Sequence, residues 1–124
     1  MKNQNYTKGA IGETVAKKYL SNLGYSILEN NWRTRYGEID IIASRGDTLH
    51  FVEVKLKVGD MYGSPEEMIN KKKILQILKT AQAYLLKNNK LNKQFKKKQI
   101  DAVCIVLNHK NELERLDYYE NINC

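Results

Sequence analysis

The sequence predicts an α/β fold in which helices cover a mixed β-sheet. One observation is the order of apolar patterns along the chain, which predicts a helix, three strands, a helical segment and two further strands. The other is a length of 124 residues with 42% hydrophobic residues and one proline. A chain of this size buries roughly two thirds of the surface that its unfolded form exposes, so it needs no disulfide or structural metal to fold. We therefore expect one domain over residues 1–124.

The first half of the chain predicts a helix followed by three strands. Ile11, Val15 and Tyr19 recur at helical spacing, with Thr7 as a cap and Gly24 as the stop signal. Residues 25–29 form a short apolar strand, and residues 30–37 are polar and are expected to form a loop. Residues 38–43 and 48–55 predict two strands joined by a turn at residues 44–47, which makes a hairpin.

The second half predicts helical structure and then two strands. After a loop at residues 56–63, Pro65 and Glu67 have the positions of a first-turn proline and a capping-box acid, so a helical turn starts there. Asn70 could equally cap a separate main helix that continues to Lys87, and the sequence leaves open whether there is one helix or two. A lysine-rich connection follows. Residues 100–107 and 113–119 complete the strands.

Positive charge is concentrated in one segment of the chain. The sequence has 21 basic and 14 acidic residues, giving a net charge of +7, and residues 68–100 hold ten lysines and no acidic residue. Such a surface attracts phosphate backbones without reading sequence. The alternative is a lysine-rich helix face that only interacts with solvent. Lys71, Lys72 and Lys73 are the first candidates for contacts to nucleic acid.

The cysteines and the N-terminus indicate a reducing compartment. Cys104 lies in an apolar run and Cys124 is the last residue, so they form neither a disulfide framework nor a zinc-ligand pattern. His50 and His109 have no histidine or cysteine partner at ligand spacing, which favours structural roles. No signal peptide is visible and no apolar run approaches the ~20 residues that span a bilayer. We expect a cytoplasmic protein with no membrane partner.

Acidic residues interrupt two apolar strands at the predicted hairpin. Glu53 and Lys55 point to the same face because side chains alternate along a strand, and Asp40 can approach them from the neighbouring strand. Mg²⁺ takes oxygen ligands and typically uses one or two carboxylates, so Asp40 and Glu53 could bind it. Lys55 could orient the attacking water or stabilise charge on a phosphate. The alternative is a salt bridge on a half-exposed sheet, since the Glu-x-Lys spacing alone is common.

Two further regions supply candidates. Glu13 lies on the margin of the apolar stripe of the first helix, where it either faces the site or forms an exposed pair with Lys17. Trp32 and Tyr36 flank basic residues in the polar loop, and stacking on unpaired bases is one use for them. Packing against the first helix or the sheet is favoured for Trp32, and Arg33 is left as a candidate phosphate contact.

A series of motifs runs through the chain in a fixed order. The first half holds Gly12-Glu13-x-x-Ala16-x-x-Tyr19-Leu20, Gly24-Tyr25-x-Ile27-Leu28-x-x-Asn31-x-Arg33, Gly37-Glu38-Ile39-Asp40-Ile41-Ile42-Ala43 and Phe51-Val52-Glu53-Val54-Lys55. The second half holds Gly63-Ser64-Pro65-Glu66-Glu67, Ala81-x-x-Tyr84-Leu85 and Ile100-Asp101-Ala102-Val103. Over most of its length the chain therefore resembles the YraN-like family of small bacterial proteins.

The resemblance implies a restriction-endonuclease-like fold, a three-layer sandwich with a central mixed sheet of about five strands flanked by helices. That family is similar to archaeal Holliday junction resolvases, which carry an Asp…Glu-x-Lys nuclease motif. Carried over by position, the resemblance implies that Asp40 and Glu53 are metal ligands, Lys55 is the catalytic lysine and Glu13 is an accessory acid. Lys57 stands where the family commonly has arginine, which preserves charge but not bidentate contacts to phosphate.

These observations lead to two hypotheses of function. The first is a nuclease that uses Mg²⁺, or alternatively Mn²⁺, to hydrolyse branched, damaged or single-stranded DNA. The second is a nucleic-acid-binding or interaction module that retains the fold and the site residues without cleaving. The partner is expected to be DNA rather than RNA, and a resolvase-like role would require a homodimer that cuts two strands symmetrically.

Overall fold

The computed structural model describes residues 4–59 and 63–123 of the chain. They form three α-helices, one 3₁₀-helix and five strands. In chain order these elements are α1 (Gln4–Asn22), β1 (Ser26–Thr34), β2 (Gly37–Arg45), β3 (Thr48–Val58), the 3₁₀-helix (Pro65–Met68), α2 (Lys71–Lys87), α3 (Asn89–Gln94), β4 (Lys97–Leu107) and β5 (Leu113–Tyr119). Among these elements, no helix is long and apolar enough to cross a membrane.

The five strands form one mixed sheet in the order β1-β2-β3-β4-β5. The pairs β1–β2, β2–β3 and β4–β5 are antiparallel, whereas β3 and β4 are parallel. A parallel pair needs a long crossover, and α2 and α3 lie in the segment that connects β3 to β4. The predicted α/β class with a five-stranded mixed sheet is confirmed.

Helices cover both faces of the sheet and bury a separate apolar cluster on each. On one face α1 packs with Ala16 and Leu20 on residues that include Ile41, Val52 and Val103. On the other face α2 packs with Ile77, Ala81 and Tyr84 on residues that include Ile42, Phe51 and Ile100. The fold therefore has three layers, with the sheet in the middle.

The backbone of α1 approaches β3 closely at Gly12. A Cβ atom added at Gly12 would lie 3.4 Å from both Cβ and Cδ1 of Leu56 and 3.6 Å from Cγ1 of Val54. These distances are ordinary van der Waals contacts, so α1 lies directly against β3 at this point. The contact brings the next residue, Glu13, into the lining of the cavity described below.

The structure resolves the open question between residues 65 and 87 in favour of two helices. A capping box joins Ser64 and Glu67 at the start of the 3₁₀-helix. The side chain of Asn70 then accepts a hydrogen bond of 2.9 Å from the backbone N–H of Lys73 and caps α2 separately. Both predicted helix starts therefore exist. The predicted loop at residues 56–63 begins later, because β3 continues to Val58, and residues 60–62 lie outside the described part of the chain.

Two local predictions were wrong, one for a loop and one for a helix cap. Residues 30–34 belong to β1 and not to a loop, because antiparallel pairing with β2 gives this polar segment a hydrogen-bonded partner. Trp32 packs in the apolar cluster between the sheet and α2, with its ring centroid 5.0 Å from that of Tyr84, in agreement with the packing favoured for it. The lysine-rich connection contains the short helix α3. Thr7 does not cap α1, which already begins at Gln4.

A buried carboxylate joins β4 to its neighbours. Asp101 is fully buried, and its oxygens accept hydrogen bonds from the Tyr118 hydroxyl at 2.5 Å, Gln99 Nε2 at 2.8 Å and the Asn121 backbone N–H at 2.9 Å. His50 Nδ1 lies 2.6 Å from Asp101 Oδ2. Burial would raise the pKa of Asp101, but the bonds from His50 and the other donors together hold it below the usual carboxyl value.

Replacement of this carboxylate should destabilise the fold in a pH-dependent way. Asp101→Asn keeps the size of the side chain but loses acceptor capacity, so we expect the free energy of unfolding to fall by about 2–4 kcal/mol at pH 7. A lowered carboxyl pKa stabilises the fold above the ordinary value near 3.8 and loses that effect as the pH falls through the lowered value. The difference in the free energy of unfolding between Asp101→Asn and the native protein, measured in urea, should therefore decrease from pH 6 to pH 3.

The exposed turn residue Asp47 offers the control. Asp47→Asn should change the free energy of unfolding by less than about 0.5 kcal/mol at either pH. Equal effects of the two substitutions at pH 7 would contradict a stabilising role for the Asp101 network.

Candidate functional site

A cavity of about 350 Å³ opens where β2 and β3 separate. The registered pairing of these strands runs from Arg45 opposite Thr48 to Ile41 opposite Val52. At the next position the side chain of Asp40 accepts a hydrogen bond of 2.8 Å from the Val54 backbone N–H. The cavity is lined by Gly9, Gly12, Glu13, Glu38, Asp40, Glu53, Val54, Lys55, Leu56 and Lys73. Both helical layers therefore contribute to a site centred on the two strands.

Asp40 is held in an environment that disfavours its charge. Burial has the largest effect, the negative charge of Glu53 adds to it, and the more distant charges of Glu13 and Glu38 act in the same direction. The hydrogen bond from the Val54 N–H opposes them, but the net effect raises the pKa of Asp40 to about 8. Without a bound cation, the environment of Asp40 thus favours its protonated form.

Glu53 is almost completely buried and contacts two ammonium groups. Its side chain is 3% exposed, and its Oε2 atom lies 3.5 Å from Nζ of Lys55 and 3.4 Å from Nζ of Lys73. Lys55 reaches Glu53 because it is two residues further along β3 and on the same face. Lys73 comes from the first turn of α2. A carboxylate buried to this degree is expected to be paired, and the two lysines meet that requirement from different elements.

Glu13 is oriented towards the site by a strand residue. Its Oε1 atom accepts a hydrogen bond of 2.9 Å from Nδ2 of Asn31 in β1. Asn31 adopts a left-handed backbone conformation, with φ of 52°, which asparagine tolerates better than most residues. Of the two alternatives for Glu13, its placement in the cavity lining favours a position at the site.

The basic residues predicted to contact nucleic acid lie on three different strands and helices, and only one of them lines the cavity. Arg33 is largely exposed, and its Nε atom lies 3.3 Å from Oε2 of Glu38 at the cavity wall. Lys57 follows Lys55 on the same face of β3, beyond the residues that line the cavity. Lys71 and Lys72 are exposed on α2, whereas their neighbour Lys73 is directed into the cavity.

Sequence reasoning missed three features of this site. It did not place Lys73 beside Glu53, since three consecutive lysines give no sign of which one faces the sheet. It gave no role to Asn31, although this residue belongs to the motif that carries the family resemblance. It gave no role to Glu38, which lines the cavity.

The donor set of the cavity fits a hard divalent cation. Asp40 and Glu53 offer carboxylate oxygens, and the one hydrogen bond to Asp40 leaves further acceptor capacity on that group. Mg²⁺ commonly binds one or two carboxylates and keeps several waters, which a cavity of this volume can hold. A cation would also reduce the repulsion between the two carboxyl groups.

A second cluster of ligand-type residues does not offer the same capacity. Within the described residues, the one group of three such side chains with ligand atoms within 4.8 Å is His50, Asp101 and Glu120. The oxygens of Asp101 there already accept several hydrogen bonds. This cluster is accounted for as the structural network described above, in agreement with the structural role predicted for His50.

Comparison with known proteins places these residues in one matching segment. The sequence model of the uncharacterised protein family UPF0102 matches residues 12–105, which include Glu13, Asp40, Glu53, Lys55 and Lys73. A UPF0102 protein of Persephonella marina is 48% identical over 118 residues, covering 92% of this chain and 98% of the relative. A UPF0102 protein of Clostridium tetani is 46% identical over 112 residues, covering 90% and 89%.

The raised pKa of Asp40 predicts that this residue destabilises the metal-free protein at neutral pH. The unfolded chain releases the Asp40 proton near pH 4, whereas the folded chain keeps it until about pH 8, so stability falls as the pH rises between these values. Asp40→Asn removes this effect and should raise the free energy of unfolding by on the order of 1–4 kcal/mol at pH 7.

Urea unfolding in the presence of a chelator, at several values between pH 5 and pH 8, measures this difference. The difference in the free energy of unfolding between the variant and the native protein should increase with pH. A variant that is less stable than the native protein at pH 8 would show that Asp40 is not electrostatically disfavoured.

Proposed function

This chain belongs to the uncharacterised protein family UPF0102, and from its site we propose that it is a metal-dependent nuclease that hydrolyses phosphodiester bonds in DNA. The observation that supports this most strongly is the convergence of Asp40, Glu53 and Lys55 in one open cavity. Carboxylates that bind a divalent cation, placed beside a lysine that stabilises charge, are the groups that phosphodiester hydrolysis requires.

Asp40 and Glu53 are the residues that would hold the cation. When bound, Mg²⁺ or Mn²⁺ polarises the phosphate and lowers the pKa of a coordinated water. Burial and the charge of Glu53 disfavour ionisation of Asp40 in the absence of a cation. Ionisation of Asp40 is therefore coupled to the arrival of positive charge, and the affinity of the site should increase with pH.

The two lysines of the cavity supply positive charge to Glu53 from two different elements, β3 and α2. Their ammonium groups lie within 3.5 Å of the same carboxylate oxygen. Lys55, the lysine of the Glu-x-Lys pair, is proposed to stabilise the charge that develops on the phosphate and to orient the attacking water. Glu13, held by Asn31, is proposed as an accessory acid that positions a water at the wall of the cavity.

The start of α2 provides a surface that attracts phosphate groups. Its first turn holds Lys71, Lys72 and Lys73 and no acidic residue. The positive end of the helix dipole lies at the same place, so the charges of Lys71 and Lys72 are disfavoured there unless an anion approaches, whereas Lys73 already contacts Glu53. A phosphate backbone would supply that anion, which supports nucleic acid as the partner.

A non-catalytic nucleic-acid-binding module is the second candidate. The observation in its favour is that Glu53 is 3% exposed and already contacts two lysines, so its charge is balanced without a metal ion. In this case the lysine surface would bind DNA and the cavity would contribute only to stability. Activity measurements on variants of the site distinguish the two candidates.

The nuclease proposal predicts loss of cleavage without loss of binding. With Mg²⁺ or Mn²⁺ present, the native protein should nick at least one DNA from a panel of single strands, flaps and four-way junctions. Asp40→Asn, Glu53→Gln and Lys55→Ala should each reduce the rate by at least about 100-fold, because each removes a group from the same reaction. Gel assays of labelled DNA measure the rates.

Two exposed residues outside the cavity lining give matched controls. Glu114→Gln and Lys87→Ala make the same chemical changes at exposed positions and should leave cleavage unaltered. If the native protein cuts no member of the panel, or if the site variants cut as well as the controls, the binding-module candidate replaces the nuclease.

The phosphate-binding surface predicts a change in the salt dependence of DNA affinity. The double substitution Lys71→Ala and Lys72→Ala should lower the slope of log affinity against log salt by up to about 0.9 for each phosphate of duplex DNA that the variant no longer binds. The decrease in affinity should be similar for all base sequences, since phosphate contacts carry no direct base information. Fluorescence anisotropy in metal-free buffer at four salt concentrations gives the slopes.

Lysines at the other end of the segment serve as the control for position. Lys87→Ala combined with Lys90→Ala removes the same total charge near the junction of α2 and α3. Equal slopes for the two double variants would contradict a specific role for the start of α2 and would assign the lysines to general electrostatic attraction.

A further inference from the structure

A groove beside the cavity combines an exposed aromatic ring with three cations. It has a volume of about 500 Å³ and lies between the β1–β2 turn and α2. We call it the turn groove. Its lining consists of Arg35, Tyr36, Lys72, Leu75, Gln76 and Lys79. Among these described residues there is no carboxylate, so the groove presents only positive and neutral groups.

The turn is fixed against the helix before any ligand arrives. Nε2 of Gln76 donates a hydrogen bond of 3.1 Å to the backbone carbonyl of Tyr36. The following residue, Gly37, has φ of 151°, and a Cβ atom there would lie 2.9 Å from Gln76 Nε2. Glycine therefore allows both the turn and its close approach to α2, which reduces the entropy cost of binding at this surface.

Tyr36 combines a fixed position with an accessible ring. It is 45% exposed, whereas Trp32 in the same hairpin packs against Tyr84 in the core. Arg35 donates a hydrogen bond of 3.1 Å to the Tyr36 hydroxyl, and its guanidinium carbon lies 5.1 Å from the ring centroid. The hydrogen bond and charge of Arg35 lower the pKa of Tyr36, and Lys79 makes a smaller contribution in the same direction. Positive charge therefore lies close to the ring.

The turn groove is connected to the cavity along two elements. Tyr36 precedes Asp40 by four residues of extended chain, a distance of about 13 Å. On α2, Lys72 of the groove is adjacent to Lys73 of the cavity. A bound nucleic-acid strand that passes through the groove can therefore continue towards the two carboxyl groups of the cavity.

We propose that the turn groove binds an unpaired nucleotide of a DNA strand, with the base stacked on Tyr36 and the neighbouring phosphates on Lys72 and Lys79. Aromatic rings bind bases by their faces, and these faces are accessible only where the strand is unpaired. The groove thus selects substrates with a single-stranded segment next to the site of hydrolysis. This inference rests on the proposed nuclease function for the nature of the ligand, but it concerns binding alone.

The test compares single-stranded with duplex DNA in metal-free buffer. Tyr36→Ala should weaken binding of a labelled 15-nucleotide dT strand by roughly 5- to 150-fold, the range expected for loss of one base–aromatic stack. Binding of a 15-base-pair duplex should change by less than about twofold. Tyr36→Phe keeps the ring and should retain single-strand affinity within about twofold. Fluorescence anisotropy at one fixed salt concentration measures all of these.

The control is Tyr119→Ala, which removes another partly exposed tyrosine from β5. It should leave single-strand affinity unchanged. The proposal is overturned if the native protein does not bind the single strand. It is also overturned if Tyr36→Ala weakens the binding of single strand and duplex equally, or if Tyr36→Phe lowers single-strand affinity as much as Tyr36→Ala does. An RNA strand of the same length that binds more tightly, with the same dependence on Tyr36, would overturn the assignment to DNA.

The outcome is separable from that of the nuclease proposal. Asp40→Asn should lose hydrolysis but bind the single strand as tightly as the native protein, since Asp40 lies outside the groove. An inactive native protein that still shows the Tyr36 dependence would contradict the nuclease and support the groove. A native protein that hydrolyses DNA but binds the single strand independently of Tyr36 would support the nuclease and contradict the groove.

Discussion

The arrangement of this molecule depends on placing two carboxyl groups in one cavity where the central strands β2 and β3 separate. Burial and the charge of Glu53 disfavour ionisation of Asp40 there. Lys55 and Lys73 balance the charge of Glu53, and the Val54 N–H offsets part of the effect at Asp40. Because Lys73 comes from α2, the position of this helix on the sheet is coupled to the electrostatics of the site.

Asp101, which is fully buried, and Asp40, which is half-buried, illustrate how the same side chain is used for opposite purposes. Asp101 accepts hydrogen bonds from several donors, which hold its pKa low and make it a stable part of the core. Asp40 has one backbone donor and negative neighbours, which raise its pKa to about 8. The first carboxylate has no capacity left for a ligand. Ionisation of Asp40 is favoured only when positive charge arrives, and this difference is the physical basis for proposing the metal site at Asp40.

The sequence predicted the elements that depend on local patterns. Alternation along β3 correctly placed Glu53 and Lys55 on one face, and the hairpin brought Asp40 to the same cavity. The two helix starts near Pro65 and Asn70 followed from capping chemistry. Prediction failed where tertiary contacts decide. The polar residues 30–34 form a strand because β2 pairs with them, and only packing of α2 on the sheet distinguishes Lys73 from the two lysines before it.

Calorimetric titration of the intact protein with Mn²⁺ and Mg²⁺ tests most directly whether the two carboxyl groups form a metal site. At pH 7 the ion must displace the proton held by Asp40, so repeating the titration in buffers of different ionisation enthalpy should reveal release of close to one proton. At pH 9 the release should disappear, and Asp40→Asn should abolish or strongly weaken binding. Absence of binding by the native protein, or binding that Asp40→Asn leaves unchanged, would contradict the assignment of the cavity as a metal centre.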